Sequence, residues 1–365
     1  MTELINEKET LTDSLDCPNC GGTTFYNPKL KKVQCEYCKS LIDIEHSSTV
    51  MESGLDNLVL KGKPWTQVQV LKCNNCGAKE ISSCKSLASE CSFCGASNIV
   101  KTDDIVGMKP DGLCPFEKTS DEAKNVVKQW VKNKFFAPKS FKKNAVAKDL
   151  HGIYSPVFTF DCQTKSTYSG RLAETQTYRV NGKSYTRTKT FFIKGHFNKD
   201  YDDMIIQASE NISQKTLQQL SPYPTSKSVK YNQKYLTGYT ANTYQKSGME
   251  YWQNCKNLIY NDIKRGVLSS YKHDYVISYN QQTNYFKTTY KYLLVPVYVG
   301  HFKFKNKIYN FFVNGCTGKV TGKTPVSVWK ILLCVFAGLL LVGGLIALVI
   351  WLEIGGSTFS FEFID

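Results

Sequence analysis

The longest apolar run, residues 331–352 (ILLCVFAGLLLVGGLIALVIWL), contains no charged side chain. As a helix it spans about 33 Å at 1.5 Å per residue, enough to cross a hydrocarbon core. Trp329 and Trp351 stand at its ends, where interfacial aromatics belong, so a transmembrane helix is expected over 329–352. Further upstream, Thr119 and Glu122 form a capping box. Behind it, Val126, Val127, Trp130, Val131 and Phe135 recur at helical spacing up to Pro138. From Gly152 the pattern turns to β. Strands are expected at 153–164, broken by Pro156, and at 178–180 and 184–193 around a type I′ Asn181-Gly182 turn. Helices are expected near 209–220 and 242–268, the second with Met249, Trp252, Cys255, Ile259 and Ile263 on one face. Strands return at 275–279, 285–299, 302–305 and 308–313, where Phe302 and Phe304 alternate with lysines. The expected fold is a set of small Zn-ribbon β modules, an α+β domain with an antiparallel sheet, and one C-terminal transmembrane helix.

Eight cysteines set the domain plan. CPNC (Cys17, Cys20) and CEYC (Cys35, Cys38) are 14 residues apart, as are CNNC (Cys73, Cys76) and CSFC (Cys91, Cys94), and the pair of motifs repeats at an offset of 56. A CxxC knuckle supplies two thiolates from one tight turn, and two knuckles complete a tetrahedral zinc shell. Gly21, Gly77 and Gly95 follow the second cysteine of three knuckles, where a positive φ suits the turn. Between the first two knuckles, 23–27 reads as a strand, Pro28 opens a turn, and a return strand delivers Cys35. Two structural Zn2+ ions are therefore expected. Four thiolates close the shell and leave no position for a catalytic water. Binding free energy on the order of 10–16 kcal/mol then becomes folding free energy. Cys84 fits no knuckle; Cys114, Cys162, Cys255, Cys316 and Cys334 read as small apolar residues. The expected divisions are an acidic segment 1–14, ribbons 15–45 and 70–100, linkers 46–69 and 101–115, the α+β domain 116–325, the membrane helix, and a tail 353–365.

Charge locates rather than identifies. The formal net charge is +15; residues 1–60 carry −5, 61–100 carry +3, and the tail after the apolar run carries −3, so 101–330 hold +20. Only Arg171, Arg179, Arg187 and Arg265 among the 46 basic residues are arginine, the side chain preferred for bidentate phosphate and base contacts. Abundant Lys, Asn and Tyr also fit an A/T-rich coding bias. The ribbons themselves hold four Lys against two acids over 17–44 and three against two over 70–100, too few for a nucleic-acid footprint. Lys319, Lys323 and Lys330 before the span and the acidic tail after it place the N-terminal portion in the cytoplasm by the positive-inside rule. MTELINEKET has neither a basic n-region nor an apolar h-region, so no signal peptide is expected, and the chain reads as tail-anchored. Gly343 and Ala347 form a small-xxx-small pair.

No catalytic pattern emerges. The five histidines (His46, His151, His196, His273, His301) form no i,i+4 pair, and GxSxG and HExxH are absent. GKVTGKT (318–324) has three residues between its glycines where a phosphate loop needs four, and Pro325 stands where the helix should run. Asp202-Asp203 reads as a solvated pair. The expectation is a protein that is not an enzyme.

The paired CPNC/CEYC and CNNC/CSFC knuckles are joined by KNKFFAPKSF (132–141) and GIYSPVFTFD (152–161). LLVPVYVGHFKFKNKIYNFFVNGCTGKVTGKTPVS (293–327) follows, just before the apolar run. Together they resemble the bacterial YdjG-type membrane proteins with tandem TFIIB-type (PriA-like) zinc ribbons, almost over the full length. Cys316 stands where that family usually has a residue such as Gln. The resemblance implies a non-enzymatic membrane adaptor, with flotillin-like (SPFH) or PspA-type envelope-stress proteins as partners. The expected arrangement is a docking head of two ribbons, with the α+β domain between head and membrane. The alternatives are a membrane-tethered nucleic-acid binder and a surface for anionic lipid.

Overall fold

Three segments with β periodicity run on far beyond ordinary strand length, and in the structure, a computed structural model, each is one strand rather than several. The structure describes residues 16–45, 49–59, 69–82, 91–93, 96–97, 99–102, 108–144, 150–244, 246–305 and 307–355. The expected acidic segment 1–14 and most of the tail lie outside these residues. In chain order the elements are β1 (Thr24–Asn27), β2 (Lys32–Cys35), β3 (Leu41–Ile42), β4 (Ser53–Gly54), α1 (Asp56–Val59), β5 (Gln69–Cys73), β6 (Lys79–Ser82), β7 (Ile99–Thr102), β8 (Gly112–Leu113), α2 (Ser120–Lys132) and α3 (Lys139–Asn144). They are followed by β9 (Leu150–Val180), β10 (Lys183–Gln207), α4 (Gln214–Leu220), β11 (Val229–Lys230), β12 (Thr240–Asn242), α5 (Gly248–Ser269), β13 (Tyr275–Phe304), β14 (Lys307–Asn314), β15 (Val320–Gly322) and α6 (Val328–Gly355).

β9 is the spine. β10 runs antiparallel along one edge, from Gln207↔Val157 to Lys183↔Val180, and β13 along the other, from Gly300↔Leu150 to Tyr275↔Ala173. Pro156 does not break β9 as expected. Its carbonyl accepts the Ala208 N–H, so its ring nitrogen faces the same edge, at the gap between β12 (paired to Ile153 and Tyr154) and β10. No ladder donor is needed there, which is where a strand tolerates proline. Asn181 and Gly182 have φ of 51° and 77°, as a type I′ turn requires. The separate strands expected at 275–279, 285–299 and 302–305 fuse into β13, which absorbs the irregularity in bulges at Val276/Ser278 and Phe286/Thr289.

The sheet is mixed, correcting the expected antiparallel one. β12 runs parallel to β9, and β8 runs parallel to β13 at Leu293 and Leu294. Both are short segments that enter beside the long strands rather than turning back from them. Helix boundaries also shift. α4 starts at its Ser213 cap rather than near 209, and α5 begins at its Ser247 cap, closed by the Ser247–Glu250 capping box, because 240–242 is already β12. Met249, expected on the core face of α5, is exposed in its first turn, while Trp252, Cys255, Ile259 and Ile263 pack with Phe158, Phe160 and Leu172. In α2 the capping box forms as expected, with Ala123, Val127 and Val131 inward; the helix ends at Lys132, leaving Phe135 exposed.

The ribbons are not beads on linkers. β6 pairs with β12, so β5, β6 and β7 extend the main sheet, and Val70 and Ile81 enter its core. β1–β3 form their own sheet, yet Tyr26, Val33 and Ile44 share a core with Val127 and Val131 of α2, and the Tyr26 N–H donates to Thr237 O at 2.9 Å. The segments expected as linkers pack as well: Leu58 lies against Gly248 at the start of α5, and Leu113 and Cys114 are fully buried. Apolar residues in both segments take them to the core. α6 is long and apolar enough to cross a membrane, and its side chains are exposed.

Candidate metal centre

All four knuckles adopt one backbone pattern. The N–H of each first cysteine donates to the carbonyl five residues on: Cys17 to Gly22, Cys35 to Ser40, Cys73 to Ala78 and Cys91 to Ala96, at 2.8–3.0 Å. Gly21 and Gly77 turn the chain at φ of 69° and 75°; Lys39 does so in the second knuckle at φ 60°. In the first two knuckles the turns aim paired sulfurs at one point.

The Sγ atoms of Cys17, Cys20, Cys35 and Cys38 lie within 4.8 Å of one another, with Cys17–Cys38 and Cys20–Cys35 at 3.5 Å. A tetrahedron of thiolates about 2.3 Å from a zinc ion has sulfur separations of roughly 3.8 Å, whereas a disulfide needs about 2.05 Å. The spacing therefore fits a shared cation. Cys17 and Cys35 are buried and Cys20 and Cys38 exposed, so the cluster sits at the ribbon's edge. Ser40 Oγ lies 3.1 Å from Cys17 Sγ and 3.0 Å from Cys38 Sγ. Its hydroxyl brings the Cys17 thiol down to about 6 and lowers Cys38 as well. Cys20, although the Gly22 amide lowers it, is pushed up to about 11 by the neighbouring thiols, Cys35 first. Such a set holds its protons unevenly unless a cation neutralises all four sulfurs.

Cys73, Cys76 and Cys91 form the second group within 4.8 Å, with Cys76 and Cys91 at 3.6 Å. Cys94, the expected fourth ligand, and Cys84 lie outside the described residues. Below this group, Glu80 is buried; its carboxylate accepts from Ser92 N–H and Oγ at 3.1 and 2.9 Å and from Cys91 Sγ at 3.8 Å. Burial raises its pKa, against the pull of Ser92. Ser40 and Glu80 are the supporting residues that spacing did not reveal. Cys162 and Cys255 are buried in the core beneath α5, and Cys114 and Cys316 in the same core as Cys73 and Cys91, but none of the four joins either ligand group.

The other motifs resolve without chemistry. The 318–324 segment holds β15, and Lys319 Nζ donates to Ser221 O. Asp203 is not a solvated partner of Asp202. It pairs with Lys291 Nζ at 2.8 Å and accepts from Thr225 Oγ1 at 2.7 Å, while Lys291, 6% exposed, also reaches Glu52 at 3.2 Å.

The structure thus defines a mixed-sheet protein with two cysteine groups able to bind metal ions and an apolar helix able to span a membrane. The chain is similar to YdjG, an uncharacterized protein of Bacillus subtilis (strain 168): 26% identity over 320 residues, covering 87% of this chain and 92% of that one. This likeness supports the YdjG-type resemblance. No family model matches the chain, and no solved structure matches it.

Proposed function

We propose that the protein is a non-enzymatic, membrane-anchored adaptor in which two structural Zn2+ ions shape ribbon surfaces for docking a protein partner. The observation that carries this is the all-cysteine composition of both groups. Four thiolates without carboxylate, imidazole or open position, as in the Cys17 group, suit a structural ion. Cys94 is the eighth ligand in this reading. α6 anchors the chain in the cell membrane with the bulk of the protein in the cytoplasm, from the Lys-rich approach to the span. The YdjG-type resemblance favours flotillin-like or PspA-type envelope-stress proteins as partners. Affinity capture of the detergent-solubilised full chain tests this: Cys17→Ser or Cys73→Ser should lose a partner that the unaltered chain retains, and capture unchanged by both substitutions defeats the reading.

Membrane-tethered nucleic-acid binding is the second reading, and one observation favours it. Arg171, Arg179 and Arg187 all lie on the β9–β10 hairpin beside exposed Tyr178, Tyr185 and Phe192, with the Arg171 guanidinium 4.3 Å from the Phe192 ring centre. It requires binding that weakens steeply between about 50 and 200 mM salt. No binding at the low end eliminates it.

A further inference from the structure

Exposed aromatics and lysines converge where the chain leaving α2 meets the start of α6. Phe135 and Phe136 are 65% and 43% exposed, their rings edge to face at 5.2 Å. They are held rather than loose. Lys330 Nζ donates to the carbonyls of Phe135 and Ala137 at 2.7 and 2.8 Å, and the Ser327 N–H donates to Phe136 O at 2.8 Å. The first turn of α6 is therefore clamped to this segment. Phe135, Trp329, Leu333 and Phe336 line one continuous, almost wholly apolar surface. Paired exposed phenylalanines flush with a membrane-compatible helix belong to the medium that covers the helix.

Two neighbouring stretches carry charge of one sign. Residues 123–144 contain seven lysines and no acid; residues 300–330 contain six lysines and no acid. The fold brings the two stretches together: Phe141 of α3 packs edge-on against Phe302 and Phe304 at 5.4 Å, setting Lys139 and Lys143 beside the turn that carries Lys305 and Lys307. Lysines at this position complement an anionic leaflet.

We propose that Phe135 and Phe136 insert into the headgroup region of the leaflet that α6 enters, with the surrounding lysines binding anionic lipid headgroups. The body of the protein is then fixed on the membrane in one orientation rather than swivelling on α6. The inference rests on reading α6 as a membrane span, and its test separates the two. The full chain carrying p-benzoylphenylalanine in place of Phe135, Phe136, Leu341 or Tyr178 is reconstituted into vesicles of phosphatidylglycerol with phosphatidylethanolamine, or of phosphatidylcholine alone, and irradiated. Mass spectrometry should find lipid adducts at 135, 136 and 341 and none at 178. The yield at 135 and 136 should be higher with phosphatidylglycerol, and on the order of tenfold lower there when Lys139→Gln, Lys143→Gln, Lys305→Gln and Lys307→Gln are combined. Adducts at 341 without adducts at 135 or 136, or adducts from 135 to protein instead of lipid, overturn the inserted surface and leave the span intact. No adduct at 341 overturns both. Equal yields in the two vesicles overturn the role of the lysines.

Discussion

At the scale of single residues, Ser40 is the clearest support of a ligand set. Its hydroxyl serves two sulfurs of one cluster, and outer contacts of this kind typically govern 10–100-fold in metal affinity. Ser40→Ala should weaken metal binding at the Cys17 group by about that factor in a competition titration against a chromogenic chelator, with the Cys73 group unaffected. Asp161 shows a different tuning. Burial, then the contact with Glu52, raises its carboxyl from 3.8 to about 7, while the protonated Asp161 lowers Glu52. A folded carboxyl that keeps its proton longer than an unfolded one costs stability as pH climbs from about 4 to about 7, and the cost is complete above that. Asp161→Asn retains an acceptor for the Asp203 N–H, which now bonds Asp161 Oδ1. The variant should therefore gain on the unaltered protein in denaturation midpoint between pH 5 and pH 8; a constant difference contradicts the assignment.

At the scale of elements, the cap of α2 and most of the inward face of α5 were legible because they are local. The Thr119–Glu122 box needs only four residues in sequence, and it forms as the spacing implied. The inward face of α5 was legible for the same reason, and Ile259 is fully buried against β9. Ile259→Ala should cost roughly 2–5 kcal/mol in urea denaturation. Strand lengths were not legible. Pro156 and the bulges of β13 carry the marks of strand ends, and what keeps the strands continuous is a neighbour far away in sequence. Pro156 survives because β12 and β10 leave a gap opposite it.

At the scale of the whole molecule, the basic residues divide between two distant surfaces. β9 leaves the base, where α3 and the β13–β14 turn meet, and carries Tyr178 and Arg179 up to about 100 Å away at 3.3 Å per residue. Thirteen lysines lie in the two stretches beside the start of α6, and five lysines with three of the four arginines lie along the projecting hairpin, so the +15 total describes two surfaces with different surroundings. The segments that carry the cysteine groups share a core and a sheet with α2 and the base of β9. Metal removal should accordingly reach beyond the ribbons. With excess chelator, hydrogen exchange should rise at Tyr154 and Val127 as well as in β1 and β5; exchange confined to the ribbons would mean that they open as independent modules.

What residue order alone settled was contained in short stretches of chain: the thiolate pairs, since CxxC closes within one turn, and the apolar helix, since its length is contiguous. The tertiary structure decided how those parts combine. The fusion of ribbon and sheet, the support of the sulfurs by Ser40 and Glu80, the pairing of Lys291 with Asp203 and Glu52, and the clamp of Lys330 on Phe135 all join residues that only long-range strand pairing and core packing bring into reach.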